Sequence, residues 1–562
     1  MKNFLIAAGG TGMRCLQSFV NMCSMGMLPG ESVSVLILET DIENGDKKNS
    51  ENLMRWYKTI SESSEQEGKG KVDSGEGASK AKEYDFFGNK LTLRVFVPDY
   101  SQDSKRRFTL ISQLEKGDST LNRELADQFY EEGVQEFDLM HGYRAQTHLG
   151  SYLMYHAIIE ELKLAVESDL HRQSSTLFPF MSEIVEANKA GEARVFVVGS
   201  SFGGTGASSI PVMSRAISDG AKILVDGAIK MENIRFGAVI LTPYFKFKPP
   251  SKEHKKKEKV IADSQFFKHN SAAALMYYIK DKTILNTYKT FYLLGWPFTD
   301  VDVDAYKNKL KGEGDGGKTI TGGKAQENPA HILEFMSAFA ARHFFVQFDG
   351  KTLESIHSTE VRNKVVPYNM EGENRKPYFR FDDLVSDKEG NKNSKIEDVL
   401  ASNLTALYGF AQILKTYYGG KISNLLENLM RYNIQYNLSG VEMEAVDGYL
   451  NYLSYEVQDG KNIPGWLPQM WYSLADNEKG EFLGFNANSM DVMKADASLP
   501  KFFVNLYTQL KKKGVKKAEH VFFNRYTKLV PSRKDGKLKD LLLDVKMVLS
   551  SFEIALIDPS AN

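Results

Sequence analysis

Residues 195–220 read VFVVGSSFGGTGASSIPVMSRAISDG, which indicates a strand, a glycine-rich turn and a helix in succession. An apolar strand leads into Gly203-Gly204-Thr205-Gly206, and Ile210, Met213 and Ile217 then recur at helical spacing. Glycines let several backbone N–H groups point to one place, and the start of a helix adds a partial positive charge. The stretch is therefore typical of a phosphate-binding turn, although a turn that only packs a helix on a strand has the same form.

A second glycine-rich turn, Gly9-Gly10-Thr11-Gly12, follows the apolar residues 4–8 near the N-terminus. It does not complete the dinucleotide-binding pattern G-x-G-x-x-G, because Cys15 occupies the third glycine position when counted from Gly10. Two such turns, each between a strand and a helix, are hard to explain by packing alone. They predict that different phosphates of one nucleotide are bound, with hydroxyl groups of Thr205, Ser208 and Ser209 as further donors.

The first 350 residues alternate short apolar runs with amphipathic stretches, a pattern that predicts an α/β fold with a Rossmann-like parallel sheet. The predicted strands are 4–8, 33–38, 91–97, 195–198, 236–241 and 291–294, with a helix at 152–166. Polar or basic insertions are expected at 61–83, 246–259 and 307–326. An irregular connector at 351–395 and a mainly helical C-terminal domain at 396–562 are predicted to follow, with helices near 396–418, 421–433, 440–457 and 499–512.

The composition excludes several classes of protein. The 562 residues include 71 Lys and Arg against 72 Asp and Glu, a net charge of −1, which argues against nucleic acid as the main partner. The two cysteines fall in one predicted helix, so no disulfide framework and a reducing compartment are expected. The chain has no apolar run long enough for a membrane span and no spacing typical of a metal site. We therefore expect a cytoplasmic protein.

The chain resembles the tubulin/FtsZ family of GTPases. The family signature G-G-G-T-G-S-G is similar to residues 202–208, FGGTGAS, in which Phe202 and Ser208 replace glycines. The first glycine-rich turn resembles the family's first nucleotide loop, and residues 39–41 (ETD) follow strand two as the family's Thr/Asp loop does. Residues 142–150, GYRAQTHLG, are similar to the Gly/Ala loop near the terminal phosphate.

The resemblance implies GTP or GDP with Mg²⁺ as the ligand. The first turn would hold the inner phosphates, the second turn with Arg144 and Ala145 the outer ones, and Glu39 or Asp41 would order Mg²⁺ through water. Asn270 and Asn328 stand where the family's asparagines read guanine, although each is also a plausible helix N-cap. The implied binding residues are Gly9, Gly10, Thr11, Gly12, Met13, Glu39, Thr40, Asp41, Arg144, Ala145, Gly203, Gly204, Thr205, Gly206, Ala207, Asn270 and Asn328.

Hydrolysis in this family uses an acidic loop that the next subunit supplies. Here residues 348–354 (FDGKTLE) make Asp349 and Glu354 the catalytic candidates, although the family's Asn-x-Asp-x-x-Asp motif is absent. The predicted function is GTP binding with slow or assembly-dependent hydrolysis, self-association into homo-oligomers or filaments, and a protein partner at the C-terminal half. Two alternatives stay open: a non-hydrolysing nucleotide-gated scaffold that recruits a partner, and a dinucleotide-dependent oxidoreductase.

Overall fold

The computed structural model describes a large N-terminal part of the chain and several shorter segments nearer the C-terminus. The described residues are 2–26, 28, 32–65, 86–98, 124, 127–136, 139, 142–227, 229–246, 262–296, 301–302, 328–347, 436–453, 455–458, 461–467, 469–470, 481–482, 485–486 and 535–545.

Six parallel strands form the central sheet. The described strands are β1 (Lys2–Ala8), β2 (Val33–Leu38), β3 (Leu91–Phe96), β4 (Ala193–Ser200), β5 (Ile234–Leu241), β6 (Phe245–Lys246), β7 (Tyr288–Leu294), β8 (Val301–Asp302), β9 (Tyr455–Gln458), β10 (Lys461–Pro464), β11 (Glu481–Phe482) and β12 (Phe485–Asn486). The sheet has the order β3-β2-β1-β4-β5-β7, which confirms the predicted α/β fold and all six predicted strands. The order of strands reverses between β1 and β4, because β2 and β3 extend the sheet on one side of β1, and β4, β5 and β7 extend it on the other. In such sheets ligands bind at this reversal.

Helices cover both faces of the sheet. They are α1 (Gly9–Ser24), α2 (Gly45–Glu65), α3 (Glu132–Glu136), α4 (Thr147–Glu167), α5 (Asp169–Ser174), α6 (Leu177–Ala190), α7 (Thr205–Leu224), α8 (Phe267–Lys280), α9 (Lys282–Thr287), α10 (Ile332–Arg342) and α11 (Gly440–Leu453). Side chains of β1 alternate between two cores, with Leu5 beside α1 and α10 and Ile6 beside α4 and α7. Strands buried on both faces are continuously apolar, which is why short apolar runs predicted them.

The strands end level with one another at the reversal. Ala7 of β1 lies opposite Val198 of β4, and Ala8 lies opposite Leu38 of β2. The carboxyl ends of β1, β2 and β4 therefore meet at one edge of the sheet. Both glycine-rich turns and the segment that begins at Glu39 start from this edge.

The predictions for the insertions and the C-terminal half are only partly addressed by the described residues. Residues 61–65 are the last turn of α2, so the insertion predicted at 61–83 begins later than expected. The rest of that insertion, residues 247–259, 307–326, the connector at 351–395 and the helices predicted at 396–418, 421–433 and 499–512 lie outside the described residues.

The helix predicted at 440–457 is too long. It ends at Leu453 and is followed by the antiparallel pair β9 and β10. None of the described helices combines the length and the apolar character needed to cross a bilayer.

Candidate functional site

A cleft lies at the carboxyl edge of the sheet, where both glycine-rich turns meet. The space at this edge is about 840 Å³ when the part open to solvent is counted. The predicted binding residues that line it are Gly9, Gly10, Thr11, Glu39, Asp41, Arg144, Ala145, Gly203, Gly204, Thr205, Gly206 and Asn328. Residues from five separated stretches of the chain therefore come together in one place.

The two glycine-rich turns touch each other through their backbones. Gly9 has a φ of +71°, and a Cβ atom there would lie 3.0 Å from the backbone nitrogen of Gly206. A Cβ atom on Gly206 would lie 3.0 Å from the nitrogen of Ser200 and 3.1 Å from the oxygen of Ala8. Glycine suits this approach, because a Cβ atom at either position would require the neighbouring backbone to shift, and Gly9 also has a positive φ.

The helices that start at the cleft have uncapped N-termini. The sequence predicted a turn at residues 9–12 with a helix after it, but α1 begins at Gly9, so the glycines form the first helical turn itself. Neither α1 nor α7 has a side-chain hydrogen bond at its N-cap or an acidic residue in its first turn. Their first N–H groups lack helical partners, and together with the helix dipoles they favour an anion.

A third loop, residues 142–146, is held in an unusual backbone conformation beside the second turn. Arg144 and Ala145 have φ values of 45° and 64°, a region that residues other than glycine rarely occupy. A Cβ atom on Gly204 would lie 3.0 Å from the backbone nitrogen of Ala145, so the loop and the start of α7 are in close contact. Such strain costs on the order of 1–3 kcal/mol per residue and concentrates at ligand-binding sites.

Glu39 connects the end of β2 to the second glycine-rich turn. One of its carboxylate oxygens accepts hydrogen bonds from the backbone nitrogens of Thr40 (2.7 Å) and Asp41 (3.2 Å) and from the hydroxyl of Thr205 (3.3 Å). Burial raises the pKa of Glu39 to about 7. This carboxyl group therefore changes its charge close to neutral pH.

The serine hydroxyls predicted as phosphate donors serve the helix instead. Ser208 and Ser209 donate to the carbonyl oxygen of Thr205, at 3.0 and 2.7 Å. Both are fully buried on α7, where a serine hydroxyl readily bonds to the preceding turn of its own helix.

Arg14 is the main residue of the cleft that the sequence analysis missed. Its Nε donates to Oε1 of Glu334 at 2.6 Å and its Nη1 to Oδ2 of Asp46 at 2.8 Å. Its Nη2 donates to the hydroxyls of Thr11 (3.3 Å) and Tyr244 (3.0 Å). Arg14 lies two residues after the first glycine-rich turn, which is a signal in the sequence, but Asp46 and Glu334 lie 32 and 320 residues away.

Aromatic side chains line part of the cleft. The ring of Phe202 lies 4.8 Å from that of Phe267 and 5.5 Å from that of Phe245, measured between centroids. Asn328 also lines the cleft, and its Oδ1 atom is buried without a hydrogen-bond partner among the described residues. The lining of the cleft therefore combines apolar rings with a buried acceptor that a donor group on a ligand could satisfy.

Several predicted residues do not line the cleft. Met13, within α1, is fully buried in the core that also includes side chains of α10. Gly12 packs on the strands, where its Cβ atom would lie 2.6 Å from the carbonyl oxygen of Val198. Thr40 and Ala207 are buried beside lining residues.

The two asparagines are placed differently from each other. Asn270 lies within α8, which begins at Phe267, and does not line the cleft. Asn328 precedes α10, whose N-cap is His331, with a ring nitrogen that accepts a hydrogen bond from Leu333. Asn328 is therefore not the cap of α10.

The candidate catalytic residues Asp349 and Glu354 lie outside the described residues. Within the part of the chain that the structure describes, no three His, Cys, Asp or Glu side chains are grouped as metal ligands. The carboxylates that line the cleft are Glu39 and Asp41.

The fold and the cleft together define a Rossmann-like α/β protein with a candidate binding site at the reversal of its strand order. In comparisons with known proteins, no family model matches this chain and no curated protein matches it.

Proposed function

We propose that the cleft binds GTP together with Mg²⁺, and that residues 1–350 form a GTP-binding domain of the tubulin/FtsZ type. The observation that carries this proposal is the backbone contact between the two glycine-rich turns at Gly9 and Gly206. A turn that only packs a helix on a strand involves one strand and one helix, and needs no second turn beside it. Two turns in contact at one cleft, each starting a helix without a cap, suit a ligand with several phosphates.

The charges around the cleft support a metal–nucleotide complex over a free anion. Arg14 is already paired with Asp46 and Glu334, both almost fully buried. Asp41 brings further negative charge to the lining, and so does Glu39 once the pH exceeds its pKa of about 7. A triphosphate in this setting needs a cation to offset the repulsion, and Mg²⁺ bound to phosphates and water fits carboxylates that act through its water ligands.

A purine base fits the aromatic and amide lining of the cleft. Phe202, Phe245 and Phe267 line it with 2, 8 and 6% of each residue exposed, so they offer apolar contact rather than an open stacking surface. The buried Oδ1 of Asn328 requires a hydrogen-bond donor. Guanine can supply one from its ring N–H or its amino group, and adenine can supply one from its amino group. The choice of guanine therefore rests on the family resemblance of the asparagine.

Calorimetric titration tests the proposal. We expect GTP with Mg²⁺ to bind, and ATP and NAD to bind at least about tenfold more weakly. Gly204→Ala is expected to weaken GTP binding by about tenfold or more, because its Cβ would intrude between α7 and the loop at Ala145. Gly440→Ala is the matched control, since its Cβ would meet nothing within 4 Å. Absent GTP binding, or equal binding of all three ligands, would overturn the proposal.

A dinucleotide-dependent oxidoreductase is the first rival. The order of the six strands is also that of dinucleotide-binding domains, and Glu39 directly follows β2, where such domains carry an acidic residue for the ribose. Against it, the second glycine-rich turn contacts the first at the cleft and has no role in that scheme. Tight binding of NAD in the same titration would favour this rival.

A non-hydrolysing nucleotide-gated scaffold is the second rival. Helix α11 of the C-terminal half packs against α1 and α2, so that half directly contacts the helix that starts at the cleft. A partner bound to the C-terminal half would then be sensitive to the ligand without any chemical step. Turnover distinguishes this scaffold from a GTPase, and Asp349 and Glu354 remain the catalytic candidates for hydrolysis.

A further inference from the structure

Arg14 is held by side chains of α1, α2 and α10 and by Tyr244. Asp46 of α2 and Glu334 of α10 accept hydrogen bonds from two different nitrogens of its guanidinium group. The third nitrogen donates to the hydroxyl of Thr11 at the cleft. The arginine is 3% exposed and also lines the cleft. Its position therefore depends on both helices, and a shift of Asp46 changes what the cleft presents to a ligand.

Asp46 is in turn supported by Gln17, one turn further along α1. The side-chain nitrogen of Gln17 donates to the backbone oxygen of Asp46 at 3.3 Å and to the hydroxyl of Ser50 at 3.0 Å. The hydroxyl of Ser50 also bonds to the backbone oxygen of Asp46, at 2.8 Å. Gln17 is 6% exposed, so its amide group needs partners for both its nitrogen and its oxygen.

The partner of the Gln17 oxygen comes from the C-terminal half. Tyr452 of α11 donates its hydroxyl to Oε1 of Gln17 at 3.1 Å, and its ring packs near that of Trp56 on α2. A continuous set of hydrogen bonds thus joins Tyr452, Gln17, Asp46, Arg14 and the first turn of α1.

We propose that Tyr452 is a positioning residue for the cleft, and that the C-terminal half regulates ligand affinity by docking α11 on α1 through this residue. The inference rests on the proposed nucleotide binding of the cleft. With α11 docked, Gln17 is fully hydrogen-bonded and Asp46 keeps Arg14 in place beside Thr11. Without the tyrosine hydroxyl, the buried oxygen of Gln17 loses its donor, and the amide group is no longer held in one orientation.

Coupling of this kind is reciprocal. If the docked helix raises nucleotide affinity, the nucleotide stabilises docking of the helix by the same factor. A partner that draws α11 away from α1 would then release the nucleotide, and a bound nucleotide would oppose that partner.

A double-mutant cycle on the full chain tests the inference. Tyr452→Phe keeps the aromatic ring and removes only the hydroxyl, and Gln17→Met removes hydrogen bonding at similar volume. We expect Tyr452→Phe to weaken GTP affinity about fivefold in the wild-type background and to change it little in the Gln17→Met background. The control is Tyr436→Phe, which removes a hydroxyl bound to Asp544 in the same half of the chain and should leave affinity unchanged.

Hydrogen exchange without any nucleotide provides a second measurement. Tyr452→Phe is expected to accelerate exchange at residues 9–17, and Tyr436→Phe is not. If wild-type protein binds no GTP, the proposed function fails, and the exchange result alone decides whether Tyr452 positions the start of α1. Unchanged affinity in Tyr452→Phe, equal loss in both backgrounds, or unchanged exchange at residues 9–17 would each overturn the inference.

Discussion

Glu39 shows how one enclosed carboxyl group links the protonation of this protein to its folding. Only 3% of the residue is exposed, and burial raises its pKa from the ordinary 4.5 to about 7, against the opposing effect of hydrogen bonds from Thr40, Asp41 and Thr205. The folded protein therefore binds this proton more tightly than the unfolded chain. The resulting stabilisation is complete below about pH 4.5 and is lost as the pH rises through 7.

We predict that Glu39→Gln removes this pH dependence. Relative to the variant, the wild-type protein should lose up to about 3 kcal/mol of stability between pH 4.5 and 7.5, since each pKa unit corresponds to about 1.4 kcal/mol. Thermal unfolding of both proteins across this pH range, without nucleotide, measures the difference. The control is Glu51→Gln, at a glutamate on the surface of α2. A constant difference between wild type and Glu39→Gln at every pH would contradict the prediction.

At the level of elements, Arg14 joins α1 to α2 and α10 through charge. Its two ion pairs measure 2.6 and 2.8 Å, and neither Glu334 nor Asp46 has more than 3% of its side chain exposed. Buried carboxylates of this kind depend on their partner, because water cannot replace it. Tyr244 also donates to Glu334, which adds the turn after β5 to the same cluster.

Removal of Arg14 is therefore expected to be costly. We predict that Arg14→Met destabilises the protein by about 3–5 kcal/mol, because it leaves two buried carboxylates without a cation. Arg55→Met is the matched control: Arg55 lies 3.9 Å from Glu444, with 62% of its side chain exposed, and its loss should cost less than about 1 kcal/mol. Chemical denaturation compares the two variants, and equal destabilisation would show that the cluster does not hold the helices together.

At the scale of the whole molecule, assembly and turnover are the open predictions. In the tubulin/FtsZ family a neighbouring subunit completes the hydrolytic site, so the resemblance predicts that phosphate release per molecule rises with protein concentration. The measurement is GTP turnover over a range of concentrations, with pelleting of the protein in GTP and in GDP alongside it. A constant rate per molecule would exclude assembly-dependent hydrolysis, and no turnover at any concentration would favour the scaffold.

Much of the N-terminal architecture was predictable from local sequence. Strands such as Val33–Leu38 are apolar at every position, because both faces of a central parallel strand are buried. The glycine-rich turns were equally visible, since glycine is required where backbones approach closely, as at Gly9 and Gly206. Two predictions from local patterns were wrong. Helix α1 begins at Gly9 and not after Gly12, and the helix predicted to reach residue 457 ends at Leu453, before β9 and β10.

The sequence by itself determined the order of strands and helices and the turns at which an anion site could form, because these depend on neighbouring residues. The partners of Arg14, the aromatic part of the cleft lining and the contact of Tyr452 with Gln17 were decided only by the tertiary structure. These contacts join residues that lie far apart along the chain, 320 and 435 positions for Arg14–Glu334 and Gln17–Tyr452. No local pattern encodes such pairs, since they form only when the sheet brings its helices to the same edge.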